Sequence, residues 1–380
     1  MENEKVVFVQ IMERKKILLV SSAFYPEISP RSFRATELAK EFYRQGHQVV
    51  VITQPRDHDY TLFLQDFPIV LKMWSRPRFP RIPKFKRKPF SILTRVVSRI
   101  LQVLFEYPFI EEMYKVSRML RKEAGYDLMI SFAVPYPVHW GVAKARSPKR
   151  PVSKTWVADC GDPYMGDVLD SFRKPFYFGI LEKRFSRKAD YISIPVESAR
   201  PAYYPEFHHK IRVIPQGFEF ELHRGPEREV SNPVKEFAYA GGFLHGIRDP
   251  GALMRALVNC KVPFKFHVFT NQPEVIREYQ EALDGKLNIS GYIERDKLME
   301  ILSGMDFLIN FDNNTTLNVP SKLIDYALTG RPVLNIARDF SEADLMAFLD
   351  GNYTGRLPLP DPEHYHIKNI TLRFLDLINQ

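Results

Sequence analysis

The stretch "NVPSKLIDYALTGRPVLNI", residues 318–336, decides the fold of this chain. Its early proline and its late glycine and proline are the signals that begin and end a helix, and a short apolar run follows as a buried strand. Ser321 and Asp325 are four residues apart, so they lie on one face of that helix. Backbone N–H groups at a helix start suit a phosphate, and Lys322 adds a full positive charge. The segment therefore predicts a nucleoside diphosphate site in which the Asp325 carboxylate accepts hydrogen bonds from the ribose.

The same segment resembles the donor-site helix of the GT-B glycosyltransferases, the glycogen-synthase-like enzymes built from two Rossmann domains. Asp325 matches the second of two acids that many of these enzymes carry, and "GRPVL", residues 330–334, matches the turn that follows. Leu317 stands in the place of the first acid, and the chain is more similar to a subgroup of bacterial sugar transferases with a "PSK" version of this helix. The alternative from the residues alone is an amphipathic helix of any α/β domain.

Three loops in the first half of the chain match places where the resemblance implies site residues. Arg31 follows a Ser-Pro pair where the family has two glycines, and it would supply charge to a donor phosphate. His139 opens a helix after a predicted strand and would face the donor or the acceptor. Asp162 lies in "VADCGDPYMGD", residues 157–167. This loop resembles the family's "ADFRDPW" loop, with Cys-Gly in the place of Phe-Arg. Asp162 would position an acceptor hydroxyl or act as a base. The structural alternatives are that Arg31 is a surface cap, that His139 is a core histidine and that Asp162 forms a turn.

Two loops in the second half extend the match. In "YAGGFLHGIRDPGAL", residues 239–253, Gly241 and Gly242 permit a close backbone approach to the donor. Arg248 stands at the family's lysine position and is expected to bind the diphosphate. The alternative is that Arg248 is a helix-capping partner for Asp249. "GYI", with Tyr292 and Ile293, matches the loop whose backbone meets the base. The predicted donor-binding residues are Arg31, Gly241, Gly242, Arg248, Tyr292, Ile293, Ser321, Lys322 and Asp325; the predicted catalytic residues are His139 and Asp162.

Length and strand pattern predict two α/β domains. A chain of 380 residues has room for two cores, and short apolar strands that alternate with helices imply parallel sheets. We expect an N-terminal acceptor domain over 1–215 and a C-terminal donor domain over 216–360. The resemblance implies that they face each other across a cleft and that a terminal helix in 361–380 crosses back to the first domain. Two unpaired cysteines predict a reducing compartment and no metal site.

The segment 68–105 contains no acidic residue and ten basic ones, more than the whole net charge of +9. Its first half is rich in proline and aromatic residues and predicts an extended loop. Its second half places Arg95 and Arg99 opposite an apolar helical stripe made of Ile92, Leu93, Val96, Val97, Ile100, Leu101 and Leu104. This pattern favours docking on an anionic membrane surface. Packing in a core and nucleic-acid binding are the alternatives, and no nucleic-acid motif accompanies the charge.

We therefore predict a glycosyltransferase that moves a hexosyl group from a nucleotide diphosphate sugar to a lipid-linked or surface-polysaccharide acceptor. The resemblance implies a metal-independent, retaining reaction that needs no cofactor besides the donor. The basic segment and the lack of an apolar run of about 20 residues predict a cytoplasmic protein peripheral to the inner membrane face. A GT-B-like sugar-nucleotide epimerase and a non-catalytic sugar-nucleotide or membrane-binding module are the alternatives.

Overall fold

The computed structural model describes residues 13–80, 82, 90–167, 172–220, 232–243, 248–312 and 321–378. The chain divides into two compact units: Met1–Glu219 with His366–Gln380, and Phe220–Tyr365.

The first unit is built on a parallel sheet. Its strands are β1 (Lys16–Ser21), β2 (Gln48–Thr53), β3 (Val70–Met73), β4 (Tyr126–Ala133), β5 (Ser153–Cys160), β6 (Tyr191–Ile194) and β7 (Ile211–Val213). They pair in the order β3-β2-β1-β4-β5-β6-β7. Leu18 and Val20 of β1 belong to one hydrophobic cluster, and Ile17 and Leu19 belong to another. Both faces of the sheet are therefore covered, as the unbroken apolar runs predict.

Six helices lie between these strands in the described part of the first unit: α1 (Pro30–Arg44), α2 (Thr61–Asp66), α3 (Phe90–Phe105), α4 (Glu111–Leu120), α5 (Pro137–Ala145) and α6 (Phe176–Lys188). The start of α1 explains the Ser-Pro pair that replaces the family's glycines. The Ser29 hydroxyl accepts a hydrogen bond from the Ser32 N–H at 3.2 Å, and Pro30 is the first helical residue.

The second unit repeats this architecture with a smaller sheet. Its strands are β8 (Lys235–Ala240), β9 (Phe264–Phe269), β10 (Leu287–Ser290), β11 (Phe307–Phe311) and β12 (Val333–Ile336), and they pair in parallel in the order β10-β9-β8-β11-β12. Its helices are α7 (Gly251–Asn259), α8 (Arg295–Ser303), α9 (Ser321–Thr329) and α10 (Glu342–Leu349). Helix α9 and strand β12 form the segment from which the fold was predicted. Gly330 ends α9 with φ of +68°, a left-handed conformation that glycine adopts without strain.

The C-terminal helix α11 (Ile367–Asp376) belongs to the first unit, which is therefore discontinuous in sequence. It packs against α1, as the resemblance implied. The unit boundaries lie a few residues beyond the predicted ones, because the chain stays attached to the first unit through Glu219. Arg44 pairs with Glu219 at 2.7 Å, and the Ile367 N–H donates to the Phe218 carbonyl at 2.9 Å.

The basic segment forms the predicted helix α3, but the helix is not packed in a core. Leu93, Val96 and Ile100 of its apolar stripe are exposed. Arg81 and the cations between 83 and 89 lie outside the described residues. No helix within the described ranges is long and apolar enough to cross a membrane.

Candidate functional site

The end of β8 in the second unit is a turn with little space for a side chain at Gly241 or Gly242. Gly241 has φ of +149°, and a Cβ there would lie 3.0 Å from the Tyr239 hydroxyl. A Cβ at Gly242 would lie 3.1 Å from the Gln272 amide oxygen. The Tyr239 hydroxyl donates to the Gly242 carbonyl at 2.7 Å and fixes this turn. The packing of this turn accounts for the two glycines, and their close approach to a donor stays a prediction.

Lys322 and Arg248 form a pair of neighbouring cations beside that turn. The Lys322 Nζ is buried without a hydrogen-bond partner and lies 4.9 Å above the Tyr239 ring. Arg248 lies beside the Tyr239 hydroxyl, and its Nε is buried without a partner. Burial and, second, the Arg248 charge lower the pKa of Lys322 to about 7. No carboxylate among the described residues forms an ion pair with either cation, so the pair lacks a counter-anion there.

Helix α9 brings Asp325 to the same region, one turn after its first residue, Ser321. The Ser321 side chain lies outside the described part of the chain. Arg295, at the start of α8, donates to Asp325 Oδ1 from Nη2 at 2.6 Å and from Nε at 3.1 Å. This pair connects α9 to the loop that follows β10. The sequence analysis did not identify Arg295, because nothing in the motif indicates which helix meets α9.

The loop after β10 carries the two residues predicted to meet a base. Tyr292 is 81% exposed, whereas Ile293 is half-buried and packs on the cluster that contains Tyr326 of α9. Ile293 thus holds the loop against the helix and leaves the Tyr292 ring open to solvent. The second unit therefore collects Gly241, Gly242, Arg248, Tyr292, Ile293, Ser321, Lys322 and Asp325 on loops and helix starts at the carboxyl end of its sheet.

In the first unit, the end of β5 is held by a buried ion pair that the sequence analysis missed. Arg34 donates from Nε and Nη2 to the two carboxylate oxygens of Asp159, both at 2.7 Å. Burial raises the pKa of Asp159, but the Arg34 charge and hydrogen bonds outweigh it and the net pKa is lowered. Arg34 also donates to the carbonyls of Ile214 and Pro215, at 2.9 and 2.6 Å. The pair ties α1, β5 and the segment after β7 together.

Arg31 lies beside this pair and over Gly161. Its Nη1 is 3.6 Å from Asp159 Oδ2, and its side chain is partly exposed. A Cβ at residue 161 would fall 1.2 Å from Arg31 Nη2, so the guanidinium occupies the space of a missing side chain. The resemblance implied an arginine at position 161. Here the positive charge of the loop comes from Arg31 on α1 instead.

Asp162 is exposed immediately after this point, at the carboxyl end of β5. Its backbone carbonyl accepts a hydrogen bond from the Tyr136 hydroxyl at 2.5 Å, which fixes the loop. Its contact with an acceptor stays a prediction.

His139 does not face a substrate, contrary to the prediction. Its ring is fully buried, with Nδ1 2.8 Å from the Ser131 hydroxyl and Nε2 3.5 Å from the Cys160 sulfur. Burial lowers its pKa to about 3. Helix α5 is enclosed on all sides, since residues 137–143 are all buried. His139 is therefore a core residue.

A second buried carboxyl group lies at the carboxyl end of β1. Glu112 Oε1 accepts a hydrogen bond from the Ser22 hydroxyl at 3.0 Å, and Oε2 is buried without a partner. Burial raises the pKa of Glu112 to about 7. Glu106, Glu111 and Glu112 are the first acids after the acid-free segment, a pattern that could have marked them in the sequence. All three are buried in the structure.

Comparison with solved structures identifies the architecture. TarM aligns with a TM-score of 0.57 at 11% identity, over 98% of this chain and all (100%) of that one. The lipopolysaccharide outer core galactosyltransferase WaaB, in its apo form, aligns with a TM-score of 0.53 at 13% identity, over 96% of this chain and 98% of that one. The chain has the GT-B fold.

The GT-B fold is shared by an enzyme of another class. The UDP-GlcNAc 2-epimerase of Methanocaldococcus jannaschii aligns with a TM-score of 0.50 at 10% identity, over 96% of this chain and 99% of that one. No protein-family model and no curated protein sequence matches the chain.

Proposed function

We propose that this protein is a glycosyltransferase that moves a sugar from a nucleotide diphosphate sugar to an acceptor. The observation that carries the proposal is the pair Lys322 and Arg248, two neighbouring cations with buried, unpartnered nitrogen atoms and no carboxylate paired with them in the described part of the chain. Placing two positive charges side by side is unfavourable unless an anion joins them. A diphosphate carries enough negative charge to do so.

Each predicted donor residue has a place in this proposal. Arg248 and Lys322 hold the diphosphate with the start of α9 at Ser321, and Gly241 and Gly242 let it approach the backbone. Asp325 binds the ribose, while its Oδ1 accepts a hydrogen bond from Arg295. Tyr292 and Ile293 line the place of the base. Charge on the leaving diphosphate is stabilised by these groups, so the proposed reaction needs no divalent ion.

The finer assignments follow the resemblance of the donor helix and the basic segment. We propose a hexosyl donor, retention of anomeric configuration and a lipid-linked or surface-polysaccharide acceptor. Asp162 is proposed to contact the acceptor hydroxyl and Arg31 a donor phosphate; both remain predictions. The basic segment, residues 68–105, is proposed to hold the protein at the cytoplasmic face of an anionic inner membrane.

Nucleoside diphosphate binding tests the site. Arg248→Ala and Lys322→Ala should each weaken binding by roughly tenfold or more, because each removes a charge-assisted hydrogen bond worth about 1.5–3 kcal/mol. Calorimetric titration with a panel of nucleoside diphosphates measures the effect. Lys297→Ala, which removes an exposed cation from α8 of the same unit, is the matched control and should bind as the wild type does. Equal affinity in all four proteins would reject the phosphate site.

Product analysis distinguishes the candidate activities. A transferase releases nucleoside diphosphate only when an acceptor is present. The epimerase alternative, which the GT-B fold also accommodates, would interconvert two nucleotide sugars without releasing nucleotide. A binding module would do neither. Membrane extracts supply the lipid-linked acceptors, and nucleotide release with a glycolipid product is the expected result.

A further inference from the structure

Helix α3 presents an apolar surface to solvent rather than to the core. Ile92 and Leu93 are 53% and 60% exposed, and Ile100 lies on the same stripe about two turns later and is also exposed. A soluble monomer rarely leaves such a continuous apolar stripe uncovered. The stripe therefore indicates a surface that something covers.

A second set of exposed apolar side chains lies at the start of α6. Phe176 is 82% exposed and Ile180 is 63% exposed, one turn apart on the same side of the helix, and the exposed Phe172 precedes them. The sequence analysis did not identify these three residues, because they fall in a short stretch with no marked charge pattern. We call Ile92, Leu93 and Ile100 together with Phe172, Phe176 and Ile180 the docking face.

Three contacts join the two halves of the docking face. The Arg99 guanidinium lies 5.5 Å from the Phe172 ring centroid. The Tyr177 hydroxyl donates to the carbonyl of Leu104, near the end of α3. Glu106, directly after α3, pairs with Lys174 at 3.0 Å. The two halves therefore form one surface within the first unit.

The charges around the docking face are positive. The segment 68–105 contains no acid, and Arg95 is exposed on α3. Lys174 adjoins the second half. The acids that follow α3 along the chain, Glu106 and Glu111, are buried and bonded to the protein: Glu106 to Lys174, and Glu111 to Lys115 at 2.8 Å. Beside residues 172–180, Glu182 is buried, and Asp170 lies outside the described residues. Arg95, Arg99 and Lys174 thus place cations beside an apolar surface, which complements a bilayer with anionic headgroups.

We propose that α3 and residues 172–180 form one membrane-docking face, in which Phe176 and Ile180 enter the apolar boundary of an anionic bilayer beside α3. The inference rests on the membrane association in the proposed function and names a second element of it; it does not depend on the donor site.

The docking face is also connected to the proposed acceptor loop. The Tyr164 hydroxyl, two residues after Asp162, donates to Glu106 at 2.7 Å. An acceptor held in the same membrane would therefore have its polar head close to this loop.

Vesicle binding of the full chain tests the docking face. The double variant Phe176→Ser/Ile180→Ser should bind vesicles of phosphatidylcholine and phosphatidylglycerol roughly tenfold or more weakly than the wild type, because two large side chains no longer leave water. Leu62→Ser is the matched control: Leu62 is 76% exposed in the same unit but lies on α2, away from the docking face, and its loss should change nothing. Unchanged melting temperatures would show that the variants fold.

Three results would overturn the inference. The double variant could bind anionic vesicles as tightly as the wild type, or Leu62→Ser could lose as much binding as the double variant. The wild type could also fail to bind vesicles and instead be a dimer that the double variant dissociates, which light scattering would show. Nucleoside diphosphate titration of the same proteins separates the two proposals, because vesicle binding without nucleotide binding rejects the donor site alone.

Discussion

Lys322 is a half-buried lysine with a buried amine, and the protonation of that amine depends on the groups beside it. Burial and the charge of Arg248 lower its pKa to about 7, so near neutral pH the amine is only partly protonated in the unliganded protein. A bound diphosphate would oppose both effects and raise that pKa. Above pH 7, binding must then take up a proton, and the affinity must fall as the pH rises.

This linkage gives a pH prediction for the donor site. Wild-type affinity for a nucleotide sugar should be constant below about pH 6 and should decrease from about pH 7 upward, approaching tenfold per pH unit until the pKa of the bound form is reached. Titration calorimetry in two buffers of different ionisation enthalpy should detect proton uptake. A nucleotide sugar is the suitable probe, since its diphosphate does not titrate in this range. Lys322→Ala should bind weakly with little pH dependence; the same slope in both proteins would contradict the assignment.

The elements that were predicted correctly are those whose signals are local. Helix α9 begins at Ser321 and ends before Gly330, because a proline precedes it and a left-handed glycine follows it. The apolar runs predicted as strands form strands, because a short apolar run is also a local signal. The helical period of α3 predicted a helix but could not show what its apolar stripe faces, since a core helix and a surface helix share that period.

Contacts between distant elements were beyond the sequence analysis. Arg34 and Asp159 are 125 residues apart, and no motif indicates that they meet. His139 follows a strand at the expected place, but only the packing of α5 shows that its ring is enclosed. Asp325 was identified from its helix position, whereas its partner Arg295 comes from another helix and required the structure.

The ion pair between Arg34 and Asp159 joins α1 to β5, so its loss should destabilise the packing of these elements. Arg34→Met should destabilise the first unit by about 3–5 kcal/mol, because it leaves a buried carboxylate without its cation while the side-chain volume is roughly kept. Arg31→Met is the matched control; its guanidinium is 3.6 Å from the same carboxylate but partly exposed, so its loss should cost under about 1 kcal/mol. Urea denaturation of the variants measures the difference, and equal losses would show that Arg34 is not the principal partner.

At the scale of the whole molecule, positive charge and exposed apolar surface occur in the same part of the chain. The net charge is +9, and the ten cations of segment 68–105 exceed it. Helix α3 belongs to that segment, and the start of α6 lies against it. The two contributions respond differently to salt. Ionic screening shortens the reach of the cations, from a Debye length of about 30 Å at 0.01 M to about 3 Å at 1 M, whereas salt does not screen apolar burial.

The salt dependence of vesicle binding should separate the charge contribution from the apolar contribution. Changing Lys84, Lys86, Arg87 and Lys88 to Ser should greatly weaken binding to anionic vesicles at low salt, since each nearby cation contributes about 1 kcal/mol. The loss should shrink as salt increases, until the quadruple variant and the wild type bind equally at about 1 M. The Phe176→Ser/Ile180→Ser variant should instead remain weaker than the wild type at every salt concentration. Co-sedimentation with anionic and neutral vesicles over a salt series measures both effects. Nucleotide affinity should stay unchanged, because none of the predicted donor residues lies in the segment 68–105. If the quadruple variant sediments like the wild type at low salt, the basic segment is only a solvated surface.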